Sequence, residues 1–393
     1  MTAVTPGSSP PPPASSFPAK ATRTRVVFVD VARALAVLFM IFGHSLNVLL
    51  DPAYQQNIAF AGLLFLRGLT SCTFLFLSGF AFTVASSHYW DAHLHLSRRM
   101  FARLRRFAFF VALGYLMRFP ARRFEHFRFV GADGWQTFLT VDILHCIGVT
   151  LIGLQLLVLV TRTRRRFAIA SAGLTAAVVL LTPLAWATDW RAHLPLGIAA
   201  YLSPATGSLF PLMPWAAFPL FGAALGYVYV TAWVHDPKQF SRRVLLPGGL
   251  VMAASGVVFA LAPFEPFGHT DFWFTSPNLF LVRAGLGLIL LDIVSFLTRW
   301  AHHLPRVVAA LAQESLLVYF IHILVLYGSA WTLGLRHVLA VPFAPGLALV
   351  WVAIMLVSMS LVGWGWNWTK RRHRWIAAAI RLAVLGAFLN WTL

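Results

Sequence analysis

Long apolar runs, broken by short basic or Pro/Gly-rich stretches, recur along the whole chain. A membrane-spanning helix needs about 20 mainly apolar residues. By that measure the pattern predicts eleven spans, at roughly 28–50, 62–86, 101–118, 139–160, 167–187, 209–233, 244–263, 279–297, 314–334, 345–363 and 375–392. The third and the last are short. The stretch around 195–205 is apolar but punctuated by Pro and Gly, and reads as a re-entrant or interfacial piece. Residues 1–25 are rich in Pro, Ser, Thr and Ala, with four consecutive prolines at 10–13. They read as a disordered cytoplasmic tail rather than a signal peptide, since no apolar core precedes a cleavage site. Residues 26–393 then form a single transmembrane domain. The expected fold is an all-α polytopic membrane protein of about eleven transmembrane helices, with a cytoplasmic N-terminus.

Composition supports the membrane class. The 393 residues are 59% hydrophobic and only 11% charged, with a mean hydropathy of +0.75. Soluble domains carry about 25% charged residues. The net charge is +19, from 31 Lys+Arg against 12 Asp+Glu. In a membrane protein such an excess sets topology and meets anionic lipid, so nucleic acid is not the expected partner. With the N-terminus inside, the inner segments hold 21 basic residues and the outer loops 6. The exception is the outer loop 118–138, with Arg118, Arg122, Arg123 and Arg128. Either it binds something anionic, or the neighbouring spans are placed wrongly. The two cysteines, Cys72 and Cys146, fall within apolar spans and build neither a disulfide framework nor a metal site.

Ionisable residues at membrane depth are costly, face protein or a wet cavity, and mark function. The first span carries a stripe of them. Eleven residues separate Arg33 from His44. That spacing overshoots three whole turns by only ~20° and rises ~16 Å. Asp30 and Asn47 extend the stripe at either end. Arg33 suits an anionic ligand or Asp30. His44 suits a general base or a nucleophile. The plain alternative is a snorkelling Arg33 and a His44 used in helix contacts.

Other constellations are weaker alone. In the second span Arg67, Ser71 and Ser78 share a face, and Ser78-Gly79 also suits close packing or a local break. In the ninth, Ser315, Tyr319 and His322 project together. At the start of the fourth, Asp142 and His145 are three apart and suit pairing. The cluster Arg98, Arg99, Arg103, Arg105 and Arg106 fits the phosphates of a nucleotide-bearing acyl carrier, or serves only as a topology signal. The aromatic and acidic outer loop 264–278 suits a polyhydroxylated ligand or an interfacial belt. His302-His303 is assigned nothing. Phosphate-gripping Gly-rich loops, His-Glu-x-x-His and Gly-x-Ser-x-Gly motifs are missing from the sequence, and no metal is expected.

Taken in order, the motifs resemble the integral-membrane acyltransferase superfamily. Asp30-Val-Ala-Arg33 followed by His44 resembles its first-helix Arg-x10-His. Phe76-Leu-Ser78-Gly79-Phe80 resembles its second-helix motif, and Ser315-Leu-Leu-Val-Tyr319-Phe-Ile-His322 its late segment. Ile143-Leu-His145-Cys-Ile-Gly148, and Phe210-Pro-Leu-Met-Pro214-Trp215 followed by Gly222 and Gly226, look closer to the heparan-alpha-glucosaminide N-acetyltransferase catalytic branch than to the neighbouring acyltransferase-3 branch. The resemblance spans about residues 26–325. It implies transfer of an acyl group, usually acetyl from cytosolic acetyl-CoA, to a sugar or glycan hydroxyl or amine. It implies cell-envelope glycan modification and a bacterial inner membrane. It assigns catalysis to His44, Arg33 and Asp30. Arg98, Arg99, Arg103, Arg106 and Ser78 would hold the coenzyme, and Asp142, His145, Tyr319, His322 and Trp215 the acceptor. The competing class is a multi-pass transporter or flippase for a lipid-linked or polyol substrate, with the same polar residues as a proton relay. Missing internal repeats weigh against it.

Overall fold

The computed structural model describes residues 26–262, 270–300, 304–339 and 342–392. Among these every regular element is helical. The helices that matter here are α1 (Val27–Leu49), α2 (Ile58–Ser87), α3 (Arg98–Met117), α4 (Ile143–Thr161), α5 (Arg164–Ala187), α6 (Ala217–Val228), α7 (Leu246–Leu261), α8 (Pro277–Thr298), α9 (Arg306–Gln313), α10 (Ser315–Tyr327), α11 (Pro345–Arg372) and α12 (Arg374–Thr392). Their starts are written locally. Asn57 Oδ1 accepts the Phe60 amide at 2.9 Å, Ser97 Oγ the Met100 amide at 3.1 Å, and Ser276 Oγ the Asn278 amide at 3.1 Å. Such caps satisfy amides that lipid cannot. Inside the spans, hydroxyls bond back to their own helix, as Thr73 does to the Leu69 carbonyl at 2.9 Å.

Eight helices among the described residues are long and apolar enough to cross a membrane, and nine if a bent pair is one span. The expectation of eleven is larger because it counts α3 and α12, which fall outside that set. Five arginines sit in the first half of α3. The expected ninth span, 314–334, opens at a bend. α9 and α10 meet at 79° around Glu314, and α10 has only 13 residues, ~20 Å of rise. The break is pinned by Glu314, which takes the Lys370 ammonium at 2.6 Å and the Asn367 amide at 2.8 Å. The tail (1–25) and the pair His302-His303 lie outside the described residues, as do residues 264–269 of the aromatic and acidic loop.

Glycine sets the tightest crossing. A Cβ on Gly79 of α2 would strike the Pro219 carbonyl of α6, and one on Gly222 would strike the Phe76 carbonyl. Thr83 Oγ1 donates across the same crossing to the Ala223 carbonyl at 2.9 Å. The Phe76–Phe80 motif and the Gly222/Gly226 pair are thus the two halves of one interface, close because neither backbone carries a side chain there. The same helices stack Phe76 and Phe80 against Phe221 and Tyr229, 5.6 and 5.4 Å between ring centres.

The bundle has two distinct ends. At one, the Trp90 indole donates to the Arg162 carbonyl at 2.9 Å and Arg164 to the Ser87 carbonyl at 3.0 Å. This end gathers the arginines that open α3 and α5. At the other end lie the last turns of α1, α3 and α10 and the first turn of α4.

Gly79→Leu or Gly222→Leu should force the α2–α6 crossing apart, an overpacking cost of about 1–3 kcal/mol or more. Thermal melting of detergent-purified protein should show a lower midpoint or no folded peak. Wild-type melting in both variants would refute the contact.

Candidate active site

The stripe on α1 has two working ends. Near the helix start Asp30 and Arg33 pair at 3.9 Å, both largely buried. Near its end His44 faces α10. Its Nδ1 lies 3.3 Å from the Tyr327 hydroxyl, and its ring centre lies 5.6 Å from that of His322. His322 is fully buried. Its Nδ1 is 2.9 Å from the Val318 carbonyl. A carbonyl only accepts, so Nδ1 carries the hydrogen and Nε2 presents a lone pair. That Nε2 is buried with no hydrogen-bond partner among the described residues. Tyr319 lies edge-on to His322 at 5.6 Å. Ser315 opens α10, about two turns below.

Asp142 caps α4, accepting the Ile143 amide at 2.7 Å. Its other oxygen meets the Arg118 guanidinium at 3.3 Å. His145 does not pair with this carboxylate. Its Nδ1 accepts the Asp142 backbone N–H at 3.0 Å, a reciprocal cap in which each residue satisfies the other's amide. His145 lies against Gly114 and Tyr115, 4.2 Å between ring centres. The Tyr115 and Tyr201 hydroxyls are 3.1 Å apart. The charge of Asp142 reaches His44, Tyr319 and Tyr327. The α4 cap therefore stands beside the His44 cluster, while His145 belongs to an adjoining tyrosine pocket.

Arg67 of α2 completes the cluster. Its aliphatic stem lies against Gly43, the residue before His44, and its charge acts on His44 and Tyr327. Four elements thus converge: α1, α2, the start of α4 and α10. Tyr327 is singled out by no sequence pattern, whereas Arg67 is marked there only by the face it shares with Ser71 and Ser78, and Arg118 only by its place in the basic outer loop. Tyr327 lies eight residues past Tyr319, off the Tyr319/His322 pattern, and only the fold brings it to His44. Arg118 was read as loop charge.

The remaining expected residues lie elsewhere. Ser78 Oγ bonds its own helix at the Leu75 carbonyl, 2.6 Å away, beside the Gly79 crossing. Trp215 packs on Phe210 and Phe218, at 4.7 and 6.2 Å. Arg103 donates to Ser86 Oγ at 2.7 Å and Gln155 Oε1 at 3.5 Å, tying α3 to α2 and α4. Arg98, Arg99, Arg105 and Arg106 are exposed at the arginine end, with Arg99 over the Tyr89 ring at 4.1 Å. His93, in the loop beside them, is pushed down to about 4, first by burial and then by Arg103 and Arg99. It stays neutral near pH 7. Arg106 and Arg118 are twelve residues apart on α3, so this surface lies ~18 Å from the His44 end. In the loop 264–278, Trp273 packs on Phe65 at 6.3 Å. In the basic loop, Arg123 pairs with Glu125 at 3.3 Å and the Arg122 carbonyl takes the Trp331 indole at 2.7 Å. A groove of about 560 Å³ is apolar and lies on the opposite face of α1, along Leu35, Leu38, Phe39 and Phe42.

The family model described as heparan-alpha-glucosaminide N-acetyltransferase, catalytic, matches residues 25–253. The chain belongs to this N-acetyltransferase family. The match runs from α1 into α7 and so includes His44, Arg67, the exposed arginines and Asp142. The α10 limb, with His322 and Tyr327, lies beyond the residues matched to the N-acetyltransferase family. No curated protein matches the chain.

Asp142→Ala should remove both the α4 cap and the partner of Arg118. The expected loss is about 2 kcal/mol or more, read as a lower melting midpoint. Asp142→Asn keeps a capping oxygen and should recover part of it. Equal stability of all three proteins would contradict the pairing.

Proposed function

We propose that the protein is a membrane-embedded acyltransferase that moves an acetyl group from cytosolic acetyl-CoA to a sugar or glycan hydroxyl or amine. Membership of the acetyltransferase family supports the reaction class. The observation that carries the reading is the meeting of His44 with Tyr327 and His322 inside an apolar bundle. With the hydrogen on His44 Nδ1 directed at the Tyr327 oxygen, Nε2 holds a lone pair. That atom takes the acceptor's proton as its oxygen or nitrogen attacks the thioester carbonyl. The carbon–sulfur bond breaks, and coenzyme A leaves as a thiolate that is then protonated. Tyr327 fixes the tautomer and orientation of His44. Asp142 lies close enough to stabilise the imidazolium that forms. His322 Nε2 offers a second acceptor for a substrate hydroxyl or amine.

The donor enters from the arginine end, with the N-terminus cytoplasmic. Arg98, Arg99 and Arg106 take the coenzyme phosphates, since guanidinium groups match phosphate geometry. Arg103 anchors α3 instead. Arg33, held by Asp30, stands on the path from this end to His44. The ~18 Å between the arginines and the His44 end then falls to the pantetheine arm. The acceptor reaches His44 from the opposite face of the membrane.

Purified wild-type protein in detergent should transfer radiolabelled acetyl from acetyl-CoA to a sugar acceptor without a sealed vesicle. His44→Ala should lower kcat by about 10²–10⁴-fold while keeping a single size-exclusion peak and wild-type melting. Tyr327→Phe should lower it less. Near-wild-type turnover in His44→Ala would overturn the assignment, and substrate movement across sealed vesicles without acetylated product would favour a transporter.

A further inference from the structure

Two arginines inside the bundle have no role in the steps above. Arg67 lies nine residues into α2 and Arg283 six residues into α8. At membrane depth an uncompensated guanidinium costs several kcal/mol and is normally paired. Among the described residues neither has a hydrogen bond or ion pair. The Arg283 Nε is buried and without a partner. Each is admitted by a glycine. The Arg67 stem lies against Gly43, where a Cβ would stand 2.9 Å from Cδ. The Arg283 guanidinium lies against Gly68, where a Cβ would stand 3.1 Å from Nη2. Gly43 precedes His44, and Gly68 follows Arg67. The two cations therefore meet α2 at neighbouring positions, Arg67 on the side of the histidine and Arg283 on the side of α8. The carboxylate whose charge reaches His44 is Asp142, and it is committed to Arg118 and the Ile143 amide.

We infer that Arg67 and Arg283 form a subsite for an oxyanion, a carboxylate or phosphate, on the acceptor. The inference rests on the acyltransferase reading of the His44 site and deepens it by naming the acceptor's charge. A guanidinium offers a planar fork of donors that matches both groups. The anion belongs to the acceptor rather than the donor for a geometric reason. The charges of coenzyme A lie at its nucleotide end, remote from the thioester, and the exposed arginines for them lie ~18 Å away along α3. Near the reacting carbonyl the donor is neutral. An acceptor bound there would bring the missing negative charge to two cations already in place, so little reorganisation is needed.

The test is binding, read without catalysis. Detergent-purified full-length protein is titrated calorimetrically with methyl β-glucuronide, glucose 1-phosphate and neutral methyl β-glucoside. At least one anionic sugar should bind more tightly than the neutral one, and which one does separates carboxylate from phosphate. Arg67→Gln and Arg283→Gln should each weaken that binding about ten-fold or more, one charge-assisted hydrogen bond's worth, with unchanged affinity for acetyl-CoA. Arg283→Lys, which keeps the charge, should lose less. If the Gln variants do not fold, the wild-type preference for charged over neutral sugar still decides. Equal binding of all three sugars, or a loss confined to acetyl-CoA, would overturn the subsite. Anion binding without any acetyl transfer would sink the acyltransferase reading instead and leave the subsite standing.

Discussion

Lipid supplies no hydrogen bonds, so a polar group taken inside this bundle is costly unless another group answers it. The architecture around His44 follows from that constraint. His44 is answered by Tyr327, His322 by the carbonyl of Val318, and Asp142 by Arg118 and the first amide of α4. Tyr327 closes α10, Arg118 caps the end of α3 and Asp142 opens α4, so these answers come from helix ends, where side chains have room to turn inward. The sharp bend between α9 and α10 belongs to the same logic. It ends one helix beside Glu314 and starts another that carries Tyr319, His322 and Tyr327. Non-helical backbone at membrane depth is tolerated where it is buried in protein or lines a cavity.

The tight α2–α6 crossing positions this cluster indirectly. Gly79, Gly222 and Gly226 bring two backbones together, and Thr83 ties them with a hydrogen bond. α2 also carries Arg67 toward α1. The motif Phe76–Phe80 therefore reads as the part of the scaffold that holds an active helix in place. Arg103 does similar work at the other end, binding Ser86 and Gln155 rather than facing outward.

Much of this was legible in the residues, and the limits have physical causes. The helical class followed from hydropathy, because a continuous apolar run has one satisfactory conformation in lipid. The stripe Asp30, Arg33, His44 followed from helical geometry, since residues on one helix keep their spacing. So did the shared face of Tyr319 and His322. What lies between helices was not legible. The pairing of His44 with Tyr327 joins residues 283 positions apart. The choice of Asp142 for Arg118 rather than His145 depended on a cap geometry in which the backbone N–H outcompetes the carboxylate for the imidazole. Arg118 was read as a loop charge because its span ends there, yet it is the partner of the α4 cap. The bend at Glu314 has no proline or glycine to announce it. The short α3 was counted as a span on its apolar second half, while its first half is a row of arginines.

The central claim is that the acetyl group of the donor reaches His44. A thiol placed at that position tests it, because the native Cys72 and Cys146 are buried, at 2% and 0% exposure, and contribute little background. Folded His44→Cys protein would be exposed to a small thiol-reactive label with and without acetyl-CoA, and modification followed by intact mass. The account predicts slow but measurable labelling that acetyl-CoA suppresses in a saturable way. Labelling at position 44 that saturating acetyl-CoA leaves unchanged would contradict it.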